Sequence, residues 1–93
     1  ATGLFGTALG SGSQALGTVA TANGWLATAS ADRTTSLGGN SDATAQGATA
    51  VGAFAQATGE GSAAFGGRTA LANGTSVTTI ASGTFATAMG SGA

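Results

Sequence analysis

The sequence predicts an all-β solenoid: a single domain, residues 1–93, in which short parallel strands stack as coils of about fourteen residues. Glycine recurs every seventh residue, small residues recur two positions before it and three positions after it, and large apolar side chains are scattered and few. Such a chain cannot build a conventional globular core. It also lacks the composition typical of disorder, since it has no Pro and a net charge of only -1.

The repeating unit is small-x-Ala-x-Gly-x-x. A coiled coil would need large apolar residues spaced three and four apart, whereas the small residues here are spaced two and five. A spacing of two is the side-chain period of a strand, so each unit predicts a strand and then a turn, where the glycine supplies positive φ. The predicted turn glycines are Gly3, Gly10, Gly17, Gly24, Gly38, Gly52, Gly59, Gly66, Gly74, Gly83 and Gly90, with Ala31 and Ala45 in the two gaps.

The repeat slips between residues 67 and 83. It moves by one residue to Ala72-Asn73-Gly74 and by two more to Ala81-Ser82-Gly83, and it resumes at Ala88-Met89-Gly90. Slips of this kind predict loop insertions or bulges in an otherwise regular stack.

Two units make one coil, so residues fourteen apart superimpose along the stack and the two half-coils can be compared. One half-coil presents apolar outward residues, namely Leu9, Leu37, Val51 and Phe65. Because an interior of Ala, Ser and Gly buries little apolar area, we expect this series to pack against other copies of the chain. The other half-coil presents a polar series, the candidate ligand-binding residues Gln14, Thr28, Asp42 and Gln56, with Leu71-Ala72-Asn73 as its fifth member.

Aromatic and charged residues fall at the predicted turns. We expect Trp25, Phe54 and Phe85 to lie at corresponding turns on one side of the roll and to pack across the seam between subunits. Asp32, Arg33, Glu60 and Arg68 also fall at turns, where they are either solvated charges or ligand contacts.

Several classes of function are excluded by composition. The chain has no His and no Cys, and Asp42 and Glu60 fall on different half-coils, so we expect no catalytic site, metal site or cofactor. Two arginines against three acidic residues cannot neutralise several phosphates, which argues against nucleic acid as the main ligand. No apolar run approaches the roughly 20 residues of a membrane helix, so we expect no membrane insertion by this segment.

The motif resembles that of a known family. Four five-residue stretches carry the resemblance: Ser13-Gln14-Ala15-Leu16-Gly17, Ala48-Thr49-Ala50-Val51-Gly52, Ser62-Ala63-Ala64-Phe65-Gly66 and Ala86-Thr87-Ala88-Met89-Gly90. They are similar to the short repeat of YadA-like heads in trimeric autotransporter adhesins, and the resemblance covers essentially the whole chain. It implies a left-handed parallel β-roll, a homotrimer, display from the outer membrane of a Gram-negative bacterium, and attachment to host extracellular matrix or host cells.

Two alternatives stay open at this point. A file of threonines fourteen apart, Thr7, Thr21, Thr35 and Thr49, could match a repeating solid lattice, which makes an ice-binding solenoid the rival function. A purely structural spacer within a longer fibre is the third possibility, and the sequence does not separate it from an adhesin.

Overall fold

The chain forms a flat roll of parallel strands, with extents of 43 × 29 × 13 Å. The computed structural model describes residues 2–66, 69–70, 76–77 and 79–89, and every regular element in that part of the chain is a strand. The strands are β1 Thr7–Leu9, β2 Gln14–Ala15, β3 Thr21–Asn23, β4 Thr28–Ala29, β5 Thr35–Leu37, β6 Asp42–Ala43, β7 Thr49–Val51, β8 Gln56–Ala57, β9 Ala63–Phe65, β10 Thr69–Ala70, β11 Ser76–Val77, β12 Ile80–Ala81 and β13 Thr87–Met89.

Successive strands alternate between two parallel sheets. Sheet A contains six strands in the order β1-β3-β5-β7-β9-β13, and sheet B contains five in the order β12-β8-β6-β4-β2. Thr7 pairs with Thr21 in sheet A, and Gln14 pairs with Thr28 in sheet B, so each coil advances the chain by fourteen residues. The predicted β-solenoid is therefore confirmed, while the left hand implied by the resemblance stays a prediction.

The interior between the sheets is filled by the small residues of the repeat. In the described part of the chain all twelve buried apolar residues are alanines, and the buried polar residues are serines and threonines. A polar layer separates two alanine clusters. In this layer the Ser36 and Ser41 Oγ atoms lie 2.6 Å apart, and Ser41 Oγ also donates to the Gly38 C=O at 2.9 Å. The buried hydroxyls of this layer are thus paired, as burial of polar groups requires.

Turns close in the same way at both edges of the roll. The N–H of the fourth turn residue donates to the C=O of the first, as from Ser41 to Gly38 at 3.3 Å, except in the turn that begins at Ala31, where Thr34 Oγ1 donates to the Ala31 C=O at 2.7 Å. The third turn residue lies in the left-handed region, although it is often not glycine. These non-glycine residues, with φ of 58–64°, are Phe5, Val19, Leu26, Arg33, Asn40, Phe54 and Phe85. Positive φ at the third residue of a turn and not at its second fits type II geometry.

The backbone conformation of the first turn residue differs between the two edges. We call the turns from sheet A to sheet B the AB turns, and those from sheet B to sheet A the BA turns. The glycines that follow sheet A strands have φ of 121–132° and are Gly10, Gly24, Gly38, Gly52 and Gly66. The glycines that begin BA turns lie outside the left-handed region and are Gly3, Gly17, Gly59 and Gly83. The expectation of positive φ is therefore wrong for the BA glycines.

Three BA turns begin with a glycine that lies close to the next coil, at Gly3, Gly17 and Gly59. A Cβ at Gly17 would overlap the backbone C=O of Ala31. The Gly17 N–H donates to the Ala29 C=O at 3.4 Å, beside the bond made by the preceding residue. One coil later the bond from Ser30 N–H to the Ala43 C=O forms at 3.1 Å, but within the described residues the Ala31 N–H makes no second bond. The looser approach leaves room for the alanine methyl.

Ten extra residues interrupt the stack without shifting it. Ala63 in β9 pairs with Thr87 in β13, a separation of twenty-four residues instead of fourteen. Between these strands β10 and β11 form a small antiparallel pair. The place in sheet B next to Gln56 is taken by Ile80, so the assignment of Leu71-Ala72-Asn73 to that place was wrong. Those three residues, together with Arg68, Gly74 and Gly90, lie outside the described residues.

Candidate functional site

One outer face of the roll carries a file of polar side chains. The pairing of sheet B stacks Gln14, Thr28, Asp42 and Gln56 directly above one another, and Ile80 continues the file. We call the first four residues the polar file. Burial of Asp42 raises the pKa of its carboxyl group, and a hydrogen bond from the Thr28 side chain lowers it by less. The polar file is thus a continuous row of donors and acceptors on the surface of sheet B.

The outer face of sheet A carries a file of apolar side chains. Pairing stacks Leu9, Leu37, Val51, Phe65 and Met89 in one row, which we call the apolar file. Leu9 is 61% exposed and Met89 is 69% exposed, while Leu37 and Val51 are half-buried. Exposed Asn23 occupies one place within the row, between Leu9 and Leu37. A row of this length on one flat sheet leaves apolar surface in contact with water.

The aromatic residues are divided between the two edges. Trp25 and Phe54 lie in AB turns, next to the apolar file, and Trp25 is 59% exposed. Phe85 lies in a BA turn, where its N–H donates to the Glu60 C=O at 2.8 Å. Its side chain covers Gly61, since a Cβ at Gly61 would lie 2.8 Å from Phe85 Cδ1. The expected single aromatic edge is therefore wrong for Phe85, because the ten-residue insertion moves it to the other side of the roll.

A shallow cleft of about 180 Å³ opens on the BA edge. It is lined by residues of three successive BA turns: Thr18 and Val19 of the first, Asp32 and Arg33 of the second, and Gln46 of the third. The Thr18 N–H donates to Asp32 Oδ1 at 3.0 Å, which fixes that carboxylate across two coils. Sequence reasoning considered Asp32 and Arg33 but missed the other three. The fourteen-residue spacing from Thr18 to Asp32 to Gln46 was the available signal.

Other kinds of site are not found in the described residues. That part of the chain holds no group of three or more acidic side chains placed to bind a metal ion. Nor does it contain a helix with the length and apolar character needed to cross a membrane.

The repeat matches a known family along most of the chain. The YadA head domain repeat matches residues 1–27, 15–41, 43–69 and 77–93. The chain belongs to the YadA head domain family. The break between the last two YadA head matches falls within the ten-residue insertion of the stack. No curated protein and no solved structure matches the chain significantly.

Membership of the YadA head family bears on the two files. The family consists of heads of trimeric autotransporter adhesins and is generally non-enzymatic. In this YadA head the apolar file on sheet A and the polar file on sheet B form two chemically different outer faces.

Proposed function

We propose that this YadA head segment is a non-catalytic adhesin head, displayed from the outer membrane of a Gram-negative bacterium, that attaches to a host extracellular-matrix protein or host-cell surface. The observation that carries the proposal is the chemical difference between the two outer faces. The apolar file lies in register on sheet A, and the polar file lies in register on sheet B. A fibre head needs both a surface that joins its chains and a surface that meets its ligand.

In the proposed homotrimer, the apolar file of each chain faces the common axis. The interior of a single roll is alanine, serine and threonine, so it buries less apolar area per residue than an ordinary core. Covering Leu9, Leu37, Val51 and Phe65 supplies the missing burial. Trp25 and Phe54 lie beside this file at the AB edge and close the seam between neighbouring chains.

The ligand surface in this proposal is the polar file. Its residues follow the spacing of adjacent strands, about 4.8 Å, and therefore form a straight ladder of hydrogen-bonding groups. Such a ladder suits an extended protein partner that offers polar groups along its length. Each contact is weak, but three chains in one head and many fibres on one cell multiply the contacts.

Sedimentation equilibrium tests the assembly. The segment alone and its fusion to a trimeric coiled coil are each measured twice, once unaltered and once as the double variant Leu37→Thr with Val51→Thr. We expect the unaltered segment to form trimers at high concentration and the double variant to shift towards monomer by at least about tenfold in concentration. Gln56→Thr, on the opposite sheet, is the matched control and keeps the trimer. A folded monomer that persists even at high concentration contradicts the seam.

Binding to immobilised matrix proteins and host cells tests adhesion. The trimeric fusion is compared with a variant in which all four residues of the polar file are alanine. We expect attachment of the fusion and at least about a tenfold loss in the variant, because the loss is repeated in three chains. If deletion of the whole segment from the parent fibre leaves attachment unchanged, the segment is a spacer and the proposal fails.

One observation favours ice binding as a second candidate function. Thr7, Thr21, Thr35 and Thr49 stack in register on the outer face of sheet A. That face also carries the apolar file, so it cannot serve both a trimer seam and an ice surface. Thermal hysteresis of the monomeric segment, abolished by Thr35→Leu, is the outcome expected of an ice binder. Absence of hysteresis removes this candidate.

A further inference from the structure

We propose that the cleft on the BA edge binds an acidic sugar, a ring that carries a carboxylate beside hydroxyl groups. This site is separate from the polar file, and all five lining residues belong to one chain. It adds a ligand class to the adhesive role proposed above, but its geometry does not depend on a trimer.

The first observation is that residues with a strained left-handed backbone occur at turn places where glycine would adopt that backbone without strain. The third residue of a BA turn needs a left-handed backbone, and Gly47 and Gly61 satisfy that need without strain. Val19 and Arg33 adopt the same backbone with φ of 59° and 58°, and a β-branched residue is a genuine outlier there. Both side chains are exposed, so neither is held by interior packing. Five third-turn residues outside the cleft share this backbone, so the strain supports the proposal only together with the fact that Val19 and Arg33 both line the cleft.

The second observation is the charge of the cleft. Arg33 is exposed and forms no ion pair with any residue that the structure describes. Its neighbour Asp32 has one carboxylate oxygen occupied by the Thr18 N–H, at 3.0 Å. The guanidinium is thus available for an anion, and the second Asp32 oxygen is available as an acceptor.

The third observation is the space above Arg33. In the next coil the corresponding residue is Gly47, and a Cβ built there would lie no closer than 3.8 Å to its neighbours. The missing side chain leaves the cleft open between Arg33 and Gln46. Sites for drug-sized ligands occupy about 300–1,000 Å³. At about 180 Å³ this cleft is suited to a single sugar unit.

Together these groups match one chemistry. The Arg33 fork pairs with a carboxylate through two parallel hydrogen bonds, and Asp32 accepts from a neighbouring hydroxyl. The Gln46 amide both donates and accepts, and the Val19 methyls offer an apolar surface to the face of a ring. A neutral sugar leaves Arg33 unpaired, and a simple carboxylate leaves Asp32 and Gln46 unused.

The test is an NMR titration of the labelled full chain with sodium glucuronate, glucose and acetate. We expect glucuronate to bind in the millimolar range and to shift resonances of Thr18, Val19, Asp32, Arg33 and Gln46. Glucose and acetate are expected to bind at least about tenfold more weakly. Acetate that binds as tightly as glucuronate overturns the assignment to a sugar. The absence of shifts in the cleft overturns the site.

Variants at Arg33 separate binding from folding. Arg33→Gly relieves the left-handed strain, so we expect a higher Tm together with loss of glucuronate binding. Arg33→Lys keeps the charge without the planar fork and is expected to bind several-fold more weakly than the parent. Glu60→Gln, at an exposed BA turn outside the cleft, is the control and leaves binding unchanged. Binding that survives Arg33→Gly contradicts the proposal, and this result is independent of whether the polar file mediates attachment.

Discussion

In the AB turns the first residue has φ of 121–132°, whereas the glycines that begin BA turns lie outside the left-handed region, and three of them, Gly3, Gly17 and Gly59, come closer to the backbone of the next coil than any AB glycine does. Glycines at the same place in the seven-residue unit are therefore under different constraints at the two edges of the roll. In the AB turns a torsion angle of the residue itself is added to the close approach of the next coil. In the BA turns the constraint is the distance to the next coil alone.

The two constraints differ in how they can be relieved. Ala31 and Ala45 begin BA turns, and the coil accepts their methyl groups where, among the described residues, their own N–H groups make no hydrogen bond to the next coil. Every described AB turn begins with glycine. A coil can move slightly away from its neighbour, but a side chain cannot change the φ that the turn requires. The sequence of the repeat shows the same difference, since alanine replaces glycine at two BA turns and at no described AB turn.

The largest expected effect comes from Gly38→Ala. The new side chain is strained at φ of 123°, and its Cβ lies 2.7 Å from the backbone carbon of Gly52. We expect the free energy of unfolding to fall by about 3 kcal/mol or more, since strained backbone at such a residue costs about 1–3 kcal/mol before the clash is added. Urea unfolding followed by circular dichroism measures it. A loss below about 1 kcal/mol would remove the proposed role of the torsion angle.

Gly17→Ala is expected to cost less, about 1–2 kcal/mol, although its Cβ overlaps the Ala31 C=O in the unrelaxed structure. The reason is that the coil can give up one hydrogen bond and adopt the arrangement seen at Ala31 itself. The same urea experiment applies, with Gly38→Ala beside it. If Gly17→Ala proves the more damaging of the two, the distinction between the turn types is wrong.

A smaller effect of opposite sign is expected at the third turn residue. Val19→Gly on the BA edge relieves left-handed strain and should stabilise the fold by about 1 kcal/mol. Leu26→Gly on the AB edge also relieves strain, but it uncovers Gly12, whose Cβ position lies 2.5 Å from Leu26 Cδ2. We therefore expect Leu26→Gly to be neutral or destabilising. Thermal unfolding of both variants distinguishes them, and equal stabilisation would show that the Leu26 contact contributes nothing.

The smallest expected effect concerns sheet B alone. Burial raises the pKa of Asp42 above its unfolded value, so the folded state holds its proton more tightly. Stability is then highest below the unfolded pKa and falls as pH rises through the raised pKa. Asp42→Asn removes that loss, and it should raise stability by less than about 1 kcal/mol near pH 7 and by nothing near pH 3. Thermal unfolding at both pH values is the measurement, and Glu60→Gln, whose effect should not depend on this burial, is the control.

The fold was largely predictable because it repeats. The spacing of two within each unit placed the small residues inside, and the spacing of fourteen gave the pairs Thr7 with Thr21 and Asp42 with Gln56. The same spacing brought together the residues of the apolar file and of the polar file. Their roles in assembly and in ligand binding stay predictions.

What sequence reasoning missed has physical causes. Ala72-Asn73-Gly74 imitates the motif, so the sequence predicts two short slips where the structure has one insertion of ten residues, and it predicts the wrong edge for Phe85. The left-handed turn residue gave no signal because it is filled by residues as different as Phe5, Arg33 and Gly47. The cleft was missed because it depends on the missing side chain of Gly47, an absence that the motif does not specify.

The alanine interior also determines how the roll responds to force. Alanine has no side-chain rotamers, so nothing is lost when it is buried and nothing can rearrange when the structure is pulled. Tension along the stack falls directly on the hydrogen bonds between coils, which share it in parallel across two sheets. A load applied along the roll is therefore carried from coil to coil by backbone hydrogen bonds, with no interlocked large side chains in the described interior to share it.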